Sequence, residues 1–193
     1  MLDEPFSGLD ANLRQTIREE TLSVLKRSGV ATLMVTHDPE EAMFMADRIK
    51  IIGANGRILQ AGRPQDIYYQ PNHEFVAKMF GRMNEFEGVV VDGIVKTPLG
   101  SIATSLEEGL VVKALIRPEG IILDKAGIAE FPKVEITSSH LLGHDNIIRA
   151  RLSNRKGEEV YVRVHHTFEA NFKKNLSVRI DPKYAFVYAI DDV

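Results

Sequence analysis

The sequence predicts an α/β segment over residues 1–83 followed by an all-β segment over residues 84–193. In the first segment, helical periodicity alternates with a short continuous apolar run of the kind that parallel sheets use. In the second, short alternating strands are separated by turns rich in Gly, Pro, Asn and Asp, as in a small barrel or sandwich. The change between these patterns gives the predicted domain boundary.

In the first segment, Asp10 is expected to cap a helix over residues 11–28 that ends at Gly29. Residues 30–35, VATLMV, predict a buried strand, and residues 39–46 a second helix. Residues 48–52 and 57–60 predict a β-hairpin, because Asn55-Gly56 between them favours a type I′ turn. Two short helices are expected at residues 64–69 and 72–80.

The second segment contains nine predicted strands. They lie at residues 87–91, 100–104, 110–116, 121–123, 133–139, 146–152, 159–164, 176–180 and 186–189. The alternation of apolar and polar residues within them predicts one buried and one solvated face.

Composition limits the classes of function. The 193 residues are 44% hydrophobic and 26% charged with a formal net charge of −3, which is ordinary for one or two globular domains. Basic residues are balanced by acids in both segments, so we expect no nucleic acid partner. Cysteine is absent, which removes disulfides and thiolate sites. No apolar run approaches the roughly 18 residues of a membrane span, so we expect a cytoplasmic location without direct membrane insertion.

The candidate chemistry begins with two adjacent carboxylates, Asp3 and Glu4, and a histidine, His37, that follows the predicted strand. A carboxylate at a strand end is suited to hold Mg²⁺ through water, as Asp3 would. Its neighbour Glu4 is suited to orient and deprotonate an attacking water. Ligands of open α/β sheets bind at the carboxyl ends of strands, so His37 is placed to reach a terminal phosphate.

These residues also have structural interpretations. Adjacent acids are common on solvated surfaces. His37 precedes a helix start in which Asp38 is the N-cap, Pro39 the first helical residue and Glu41 the acid of a capping-box-like turn. The capping role of Asp38 is compatible with a catalytic role for its neighbour.

Together, the LDEPFSGLD and LMVTHD segments resemble the Walker B motif, D-loop and switch histidine of the ATP-binding subunits of ABC transporters. The resemblance implies that Asp3 is the magnesium-side aspartate, Glu4 the catalytic glutamate and His37 the contact to the γ-phosphate. It also implies a D-loop facing the partner subunit, formed by Ser7, Gly8, Leu9 and Asp10. ATP and Mg²⁺ would be the cofactors of the complete protein.

The chain departs from that family in lacking a GxxxxGK[ST] phosphate loop, an LSGGQ-like segment and a Q-loop region. The phosphate loop supplies the backbone N–H groups and the lysine that bind the β- and γ-phosphates. We therefore expect the C-terminal part of an ABC-type ATPase, which binds no cofactor and hydrolyses no ATP by itself.

The second segment resembles the TOBE domain, an OB-like barrel that follows the ATPase domain in importers of sugars, anions, polyamines and ferric iron. The stretches at residues 116–123, 138–152 and 180–188 carry this resemblance. The expected fold class is an α/β remnant of a P-loop ATPase domain followed by an all-β OB-like (TOBE) barrel. The other strands of the sheet to which residues 30–35 belong are largely missing, so we expect apolar surface there that a homodimer covers. The resemblance implies dimer contacts and regulation by the barrel, and transmembrane permease subunits that hold the protein at the cytoplasmic face of the inner membrane.

Two other hypotheses stay open. The barrel is alternatively an autonomous module that senses an oxyanion, metal or sugar, or else Asp3, Glu4 and His37 serve a metal-dependent hydrolase. Four histidines of the second segment are candidate metal ligands, although their spacing favours polar residues at strand ends and loops: His140, His144, His165 and His166.

Overall fold

The computed structural model describes residues 1–124, 130–153, 157–168 and 176–190. The chain divides into two compact units, Met1–Phe80 and Gly81–Val193, slightly before the predicted boundary at residue 83. Helices and parallel strands occur in the first unit, and the regular structure described in the second is β-strands with two short 3₁₀ turns. The predicted fold class, an α/β remnant followed by an all-β OB-like barrel, is confirmed.

The first unit alternates strands and helices. In chain order these are β1 (Leu2–Asp3), α1 (Ala11–Ser28), β2 (Met34–Val35), α2 (Pro39–Met45), β3 (Ile49–Ile52), β4 (Ile58–Gly62), α3 (Pro64–Tyr69) and α4 (Glu74–Lys78). β1 pairs with β2 in parallel, and β3 pairs with β4 as an antiparallel hairpin. A small core lies between the hairpin and the short helices, where Ile49, Ile51, Ile67 and Val76 are buried.

Helix α1 begins and ends where the sequence predicts. The Asp10 side chain accepts hydrogen bonds from the backbone N–H groups of Asn12 and Leu13, so it is the N-cap. Gly29 takes a left-handed φ of 65° and terminates the helix. No α1 residue is buried, and its apolar residues Leu13 and Val24 are 45% and 54% exposed. The helix is therefore defined by its caps rather than by packing.

The predicted buried strand at residues 30–35 is wrong in extent and in burial. Only Met34–Val35 is a strand, while Val30 and Leu33 are each 63% exposed and Val35 is 45% exposed. A strand is buried by its neighbours on both sides and by layers on its faces. Within the described part of the chain, β2 pairs only with the two residues of β1.

The β3–β4 hairpin exists, but its turn differs from the predicted type I′ turn. That turn needs positive φ at both central residues, and of the Asn55-Gly56 pair only Gly56 has it, at 74°. Gly56 donates its N–H to the Gly53 carbonyl, and the Asn55 side chain accepts from the N–H of Arg57. The result is a longer loop with a bulge between Ile51 and Ile52.

The second unit is built from ten described strands. They are β5 (Asn84–Val91), β6 (Ile94–Thr97), β7 (Gly100–Ala103), β8 (Val111–Ile116), β9 (Ile121–Asp124), β10 (Lys133–Leu142), β11 (Asp145–Leu152), β12 (Glu159–His165), β13 (Leu176–Ile180) and β14 (Ala185–Ala189). Among the described residues they form two five-stranded sheets, ordered β12-β11-β10-β13-β9 and β14-β8-β5-β6-β7. Each of the nine predicted strands overlaps one of them.

Strand β6 is the one that the sequence analysis missed, although a turn signal precedes it. Asp92 and Gly93 have φ values of 54° and 70°, and they join Val91 to its cross-strand partner Ile94. Positive φ at both central residues is the requirement of the two-residue type I′ turn. The Asp-Gly pair therefore turns β5 directly back into β6.

One apolar core fills the second unit and draws on both sheets. Val112 and Ile116 of one sheet and Ile148 and Val162 of the other are completely buried in it. Residues from alternating positions of each strand meet there, as the predicted alternation requires. Within the described residues of the whole chain, no helix has the length and apolar character to cross a membrane.

Candidate functional site

The predicted catalytic residues Glu4 and His37 and the predicted magnesium-holding residue Asp3 lie at one edge of the β1–β2 pair. Asp3 is the last residue of β1 and pairs with Val35, and Glu4 follows it. The Glu4 N–H donates to the Val35 carbonyl at 2.8 Å, two residues before His37. Because the strands are parallel, their carboxyl ends meet at the same edge. The ladder therefore brings Asp3, Glu4 and His37 to one place.

Glu4 and His37 are in direct contact. His37 Nδ1 lies 2.7 Å from Glu4 Oε1, with the two side chains 76% and 45% exposed respectively. The hydrogen bond with Glu4, and then the charge of its carboxylate, raises the pKa of His37 above its ordinary value. His37 therefore keeps a second proton to a higher pH than an isolated histidine does.

The backbone of Glu4 is held in an uncommon conformation. Its φ is 42°, in the left-handed region that residues other than glycine rarely adopt. The Glu4 carbonyl accepts hydrogen bonds from Ser7, from the backbone N–H at 3.2 Å and from Oγ at 2.9 Å. A tight turn over residues 4–7 thus fixes the direction in which the Glu4 side chain leaves the strand.

The predicted D-loop follows this turn. Ser7 and Gly8 are exposed, and Gly8 has a φ of 85°. The Leu9 carbonyl accepts a hydrogen bond from Arg14 at 2.8 Å, and the Asp10 carboxylate is the cap of α1. Phe6, which the sequence analysis did not single out, is 1% exposed and is the buried residue of the loop. Among these described residues, Ser7 bonds to the pair, through its N–H and its Oγ to the Glu4 carbonyl.

The donor set at this edge fits a hard cation held through water. Asp3 is exposed and offers carboxylate oxygens, the ligands that Mg²⁺ prefers while it keeps most of its hydration shell. No group of three or more His, Cys, Asp or Glu side chains converges on a metal position in the described part of the chain. The residues therefore fit a single protein carboxylate with waters rather than an all-protein cage.

The segment that carries His37 is fixed by residues on both sides of it. Asp38 Oδ1 accepts from the N–H groups of Glu40 at 2.8 Å and Glu41 at 3.3 Å, so its predicted N-cap role is confirmed. The predicted capping-box role of Glu41 needs a correction, because its carboxylate does not reach the Asp38 N–H. Instead, Thr36 Oγ1 accepts from that N–H at 3.0 Å and donates to Glu41 Oε2 at 2.8 Å.

Among the residues that the structure describes, the four candidate histidines of the second unit belong to no group of three or more possible metal ligands. His165 and His166 lie ring against ring at 4.1 Å, and His166 Nδ1 is 3.2 Å from the backbone carbonyl of His144. His140 pairs with Ile147 along the β10–β11 ladder. His144, His165 and His166 thus lie at strand ends or in turns, as predicted, whereas His140 lies within β10. The His165 ring also contacts the Thr167 hydroxyl at 2.9 Å.

No protein-family model matches the sequence. Curated relatives do match. The sulfate/thiosulfate import ATP-binding protein CysA of Caulobacter vibrioides is 41% identical over 66% of this chain and 37% of its own length. The putrescine transport ATP-binding protein PotG of Escherichia coli is 35% identical over 80% of this chain and 44% of its own length. The spermidine/putrescine import ATP-binding protein PotA of Mycoplasma genitalium is 33% identical over 94% of this chain and 33% of its own length.

The chain therefore spans between a third and a half of the length of these relatives. Among solved structures, the cytoplasmic molybdate-binding protein ModG matches 55% of this chain and 96% of its own, with a TM-score of 0.43 and 14% identity. Import and transport ATP-binding proteins thus match between 80% and 94% of this chain. The chain is thus a relative of the ATP-binding subunits of ABC importers, over part of their length.

Proposed function

We propose that this chain provides the water-activating side of the ATP-hydrolysis site in the ATP-binding subunit of an ABC importer. The observation that carries the proposal is the 2.7 Å contact between Glu4 and His37 at the shared carboxyl edge of two parallel strands. A general base and a phosphate-contacting imidazole must both lie within hydrogen-bond reach of the reacting groups. The sequence relationship to import ATP-binding proteins supports the same conclusion.

Each residue has a separate task in this proposal. Asp3 would hold Mg²⁺ through water, and the ion, when bound, neutralises charge on the phosphates. Glu4 orients the attacking water and accepts its proton. His37, whose pKa is raised by Glu4, presents a positive imidazolium beside an otherwise acidic edge and donates a hydrogen bond to the terminal phosphate.

The assignment is tested in a chimera in which this chain replaces the matching part of E. coli PotG. Glu4→Gln should lower the rate of ATP hydrolysis by about 100-fold or more, because it removes the general base without changing size. Glu40→Gln is the matched control, since Glu40 is an exposed glutamate on α2 outside the Glu4–His37 contact. Equal rates for Glu4→Gln and the unsubstituted chimera would show that Glu4 has no catalytic role.

We further propose that the chain by itself does not bind ATP. No GxxxxGK[ST] segment occurs in the 193 residues, and the edge described above carries two carboxylates that repel a polyphosphate. Calorimetric titration with Mg-ATP should give no binding heat beyond dilution. A saturable micromolar isotherm would overturn this part of the proposal.

The proposal includes a homodimer, with permease subunits attaching it to the cytoplasmic face of the inner membrane. Its support is the apolar surface of the first unit, where Val30, Leu33 and Val35 are 63%, 63% and 45% exposed. Light scattering across a dilution series should show a dimer that Leu33→Glu weakens. Ile58→Glu, at a first-unit residue that is 56% exposed and lies outside residues 30–35, is the control and should leave the mass unchanged. A wild-type monomer throughout would contradict the dimer.

A second candidate function, ligand sensing by an autonomous TOBE module, is favoured by an open cleft of about 630 Å³ in the second unit. Its lining includes charged side chains of both signs, among them Glu85, Glu87, Lys96 and Lys113. A thermal-shift screen with molybdate, sulfate, ferric iron and sugars tests it. One ligand should raise the midpoint in the wild type and not in Lys96→Ala, whereas a flat screen would speak against sensing.

A further inference from the structure

The contact between His37 and Glu4 is short although neither side chain is buried. At 76% and 45% exposure, both compete with water for their hydrogen bonds, and exposed ion pairs contribute little order on their own. A long side chain at such a position samples several rotamers. The 2.7 Å distance must therefore follow from the way in which the two backbone segments are held.

The Glu4 segment is held by two sets of backbone hydrogen bonds. Its N–H donates to the Val35 carbonyl at 2.8 Å, and its carbonyl accepts from Ser7. These bonds fix Glu4 to β2 and to the turn, and they leave the His37 segment to be fixed by other groups.

The segment that carries His37 is held by one hydroxyl, which joins the neighbours of the histidine, Thr36 and Asp38. Thr36 Oγ1 accepts from the Asp38 N–H and donates to Glu41 Oε2, so it spans the histidine from one side to the other. Glu41 is only 4% exposed. A carboxylate that is buried in this way needs hydrogen bonds from the protein, and here the Thr36 hydroxyl provides one.

We propose that Thr36 and Glu41 are positioning residues that lock the backbone around His37 to helix α2 and so direct its imidazole toward Glu4. They do not touch the reacting groups themselves, and their effect on hydrolysis rests on the function proposed above. The geometric claim concerns this chain alone and needs no nucleotide.

The test is nitrogen NMR of the His37 imidazole in the intact chain at one fixed pH. Glu4→Ala defines the resonance position of Nδ1 when the contact is lost. Thr36→Val keeps the shape of the side chain but removes the hydroxyl, and it should move the Nδ1 resonance at least half as far as Glu4→Ala does. Thr36→Ser restores the hydroxyl and should leave the resonance near its wild-type position.

Variants on α2 separate the hydrogen bond from charge. Glu41→Gln keeps an oxygen acceptor but removes the charge of Glu41, a minor cause of the raised pKa of His37, so it should move the resonance much less than Glu41→Ala, which should act as Thr36→Val does. Glu40→Ala removes a carboxylate of the same turn whose charge is not among the causes of that raised pKa, and it is the control, with no expected shift. Far-UV circular dichroism verifies that each variant is folded.

The proposal is overturned if folded Thr36→Val keeps the wild-type Nδ1 position, or if Glu41→Gln moves it as far as Glu41→Ala. If Glu41→Ala does not fold, the pair Thr36→Val and Thr36→Ser decides the matter alone. Equal hydrolysis rates for Glu4→Gln and the unsubstituted chimera, combined with the expected NMR shifts, would reject the proposed function while leaving this positioning role in place.

Discussion

At the scale of single residues, the Glu4–His37 pair gives a direct prediction of pH dependence. Glu4→Gln should lower the pKa of His37 toward its ordinary value, because it removes the carboxylate that is the first cause of the raised pKa. An NMR titration of the His37 ring protons measures this change. Glu40→Gln should give a much smaller change, and an unaltered His37 titration in Glu4→Gln would mean that the two side chains are not paired in solution.

The same pair links stability to pH with a definite sign. The folded pKa of His37 lies above its unfolded value, so the pair stabilises the folded state fully below the unfolded pKa. This contribution is lost as the pH rises through the folded pKa. Unfolding free energies of Glu4→Gln should consequently vary less over that interval than those of the wild type.

Site residues could be predicted to different degrees. Asp3, Glu4 and His37 were identified because their residue types and order indicate phosphoryl-transfer chemistry, and the structure brings Glu4 and His37 into contact. Phe6 and the Thr36–Glu41 hydrogen bond were not identified, because residue type alone fixes neither the burial of a side chain nor a contact between side chains five residues apart. The signal for Thr36 was weak, since a hydroxyl beside a histidine is common in any sequence.

At the scale of elements, local signals predicted helix ends well. The ends of helix α1 were predicted correctly because Asp10 and Gly29 act locally, through hydrogen bonds to nearby N–H groups and through a left-handed φ respectively. The length and the burial of strand β2 were overestimated, because both depend on the strands that pair with it rather than on the apolar run itself. The turns at Asn55-Gly56 and Asp92-Gly93 had similar signals, yet only the second adopts positive φ at both residues.

The caps of α1 can be tested by substitution. Asp10→Ala should lower the free energy of unfolding by about 1 kcal/mol, because it leaves the N–H groups of Asn12 and Leu13 without their acceptor. Asp10→Asn should retain most of the stability, since an amide oxygen caps equally well. Urea titrations followed by far-UV circular dichroism compare the three proteins. A loss in Asp10→Asn as large as in Asp10→Ala would point to charge rather than capping.

At the scale of the whole molecule, the alternating pattern predicted the all-β unit better than the apolar run predicted the parallel strands of the first. The reason is that the second unit closes its own core, in which residues such as Val112 and Ile148 bury each other's surface. Its strands therefore find within the described chain the partners that their patterns require. Sheet order was not predicted, because it depends on contacts between strands far apart in sequence.

One buried polar residue joins the two sheets of that unit. Asn84 on β5 is 4% exposed, and its amide donates to the Tyr161 carbonyl at 2.9 Å while its oxygen accepts from the Tyr161 N–H at 2.7 Å. Asn84→Ala should lower the free energy of unfolding by about 1–3 kcal/mol, because it leaves buried backbone groups unsatisfied. Chemical denaturation measures this loss.

Asn146→Ala is the matched control for Asn84→Ala. Asn146 is also buried, at 8% exposure, but its amide bonds are longer, 3.4 and 3.5 Å, and both end on backbone carbonyls in the turn after β12. Asn146→Ala should therefore lower the free energy of unfolding by less than Asn84→Ala does. A larger loss for Asn146→Ala would show that Asn84 does not hold the sheets together.

The parallel ladder between β1 and β2 is only two residues long, and its amides offer a way to observe the turn over residues 4–7 in solution. The N–H groups of Leu2 and Glu4 donate to the carbonyls of Leu33 and Val35, each at 2.8 Å. Deuterium replaces those protons only when the strands separate. The exchange rates of these two amides thus report how often β1 separates from β2, and with it how often the turn over residues 4–7 moves away from the segment that carries His37.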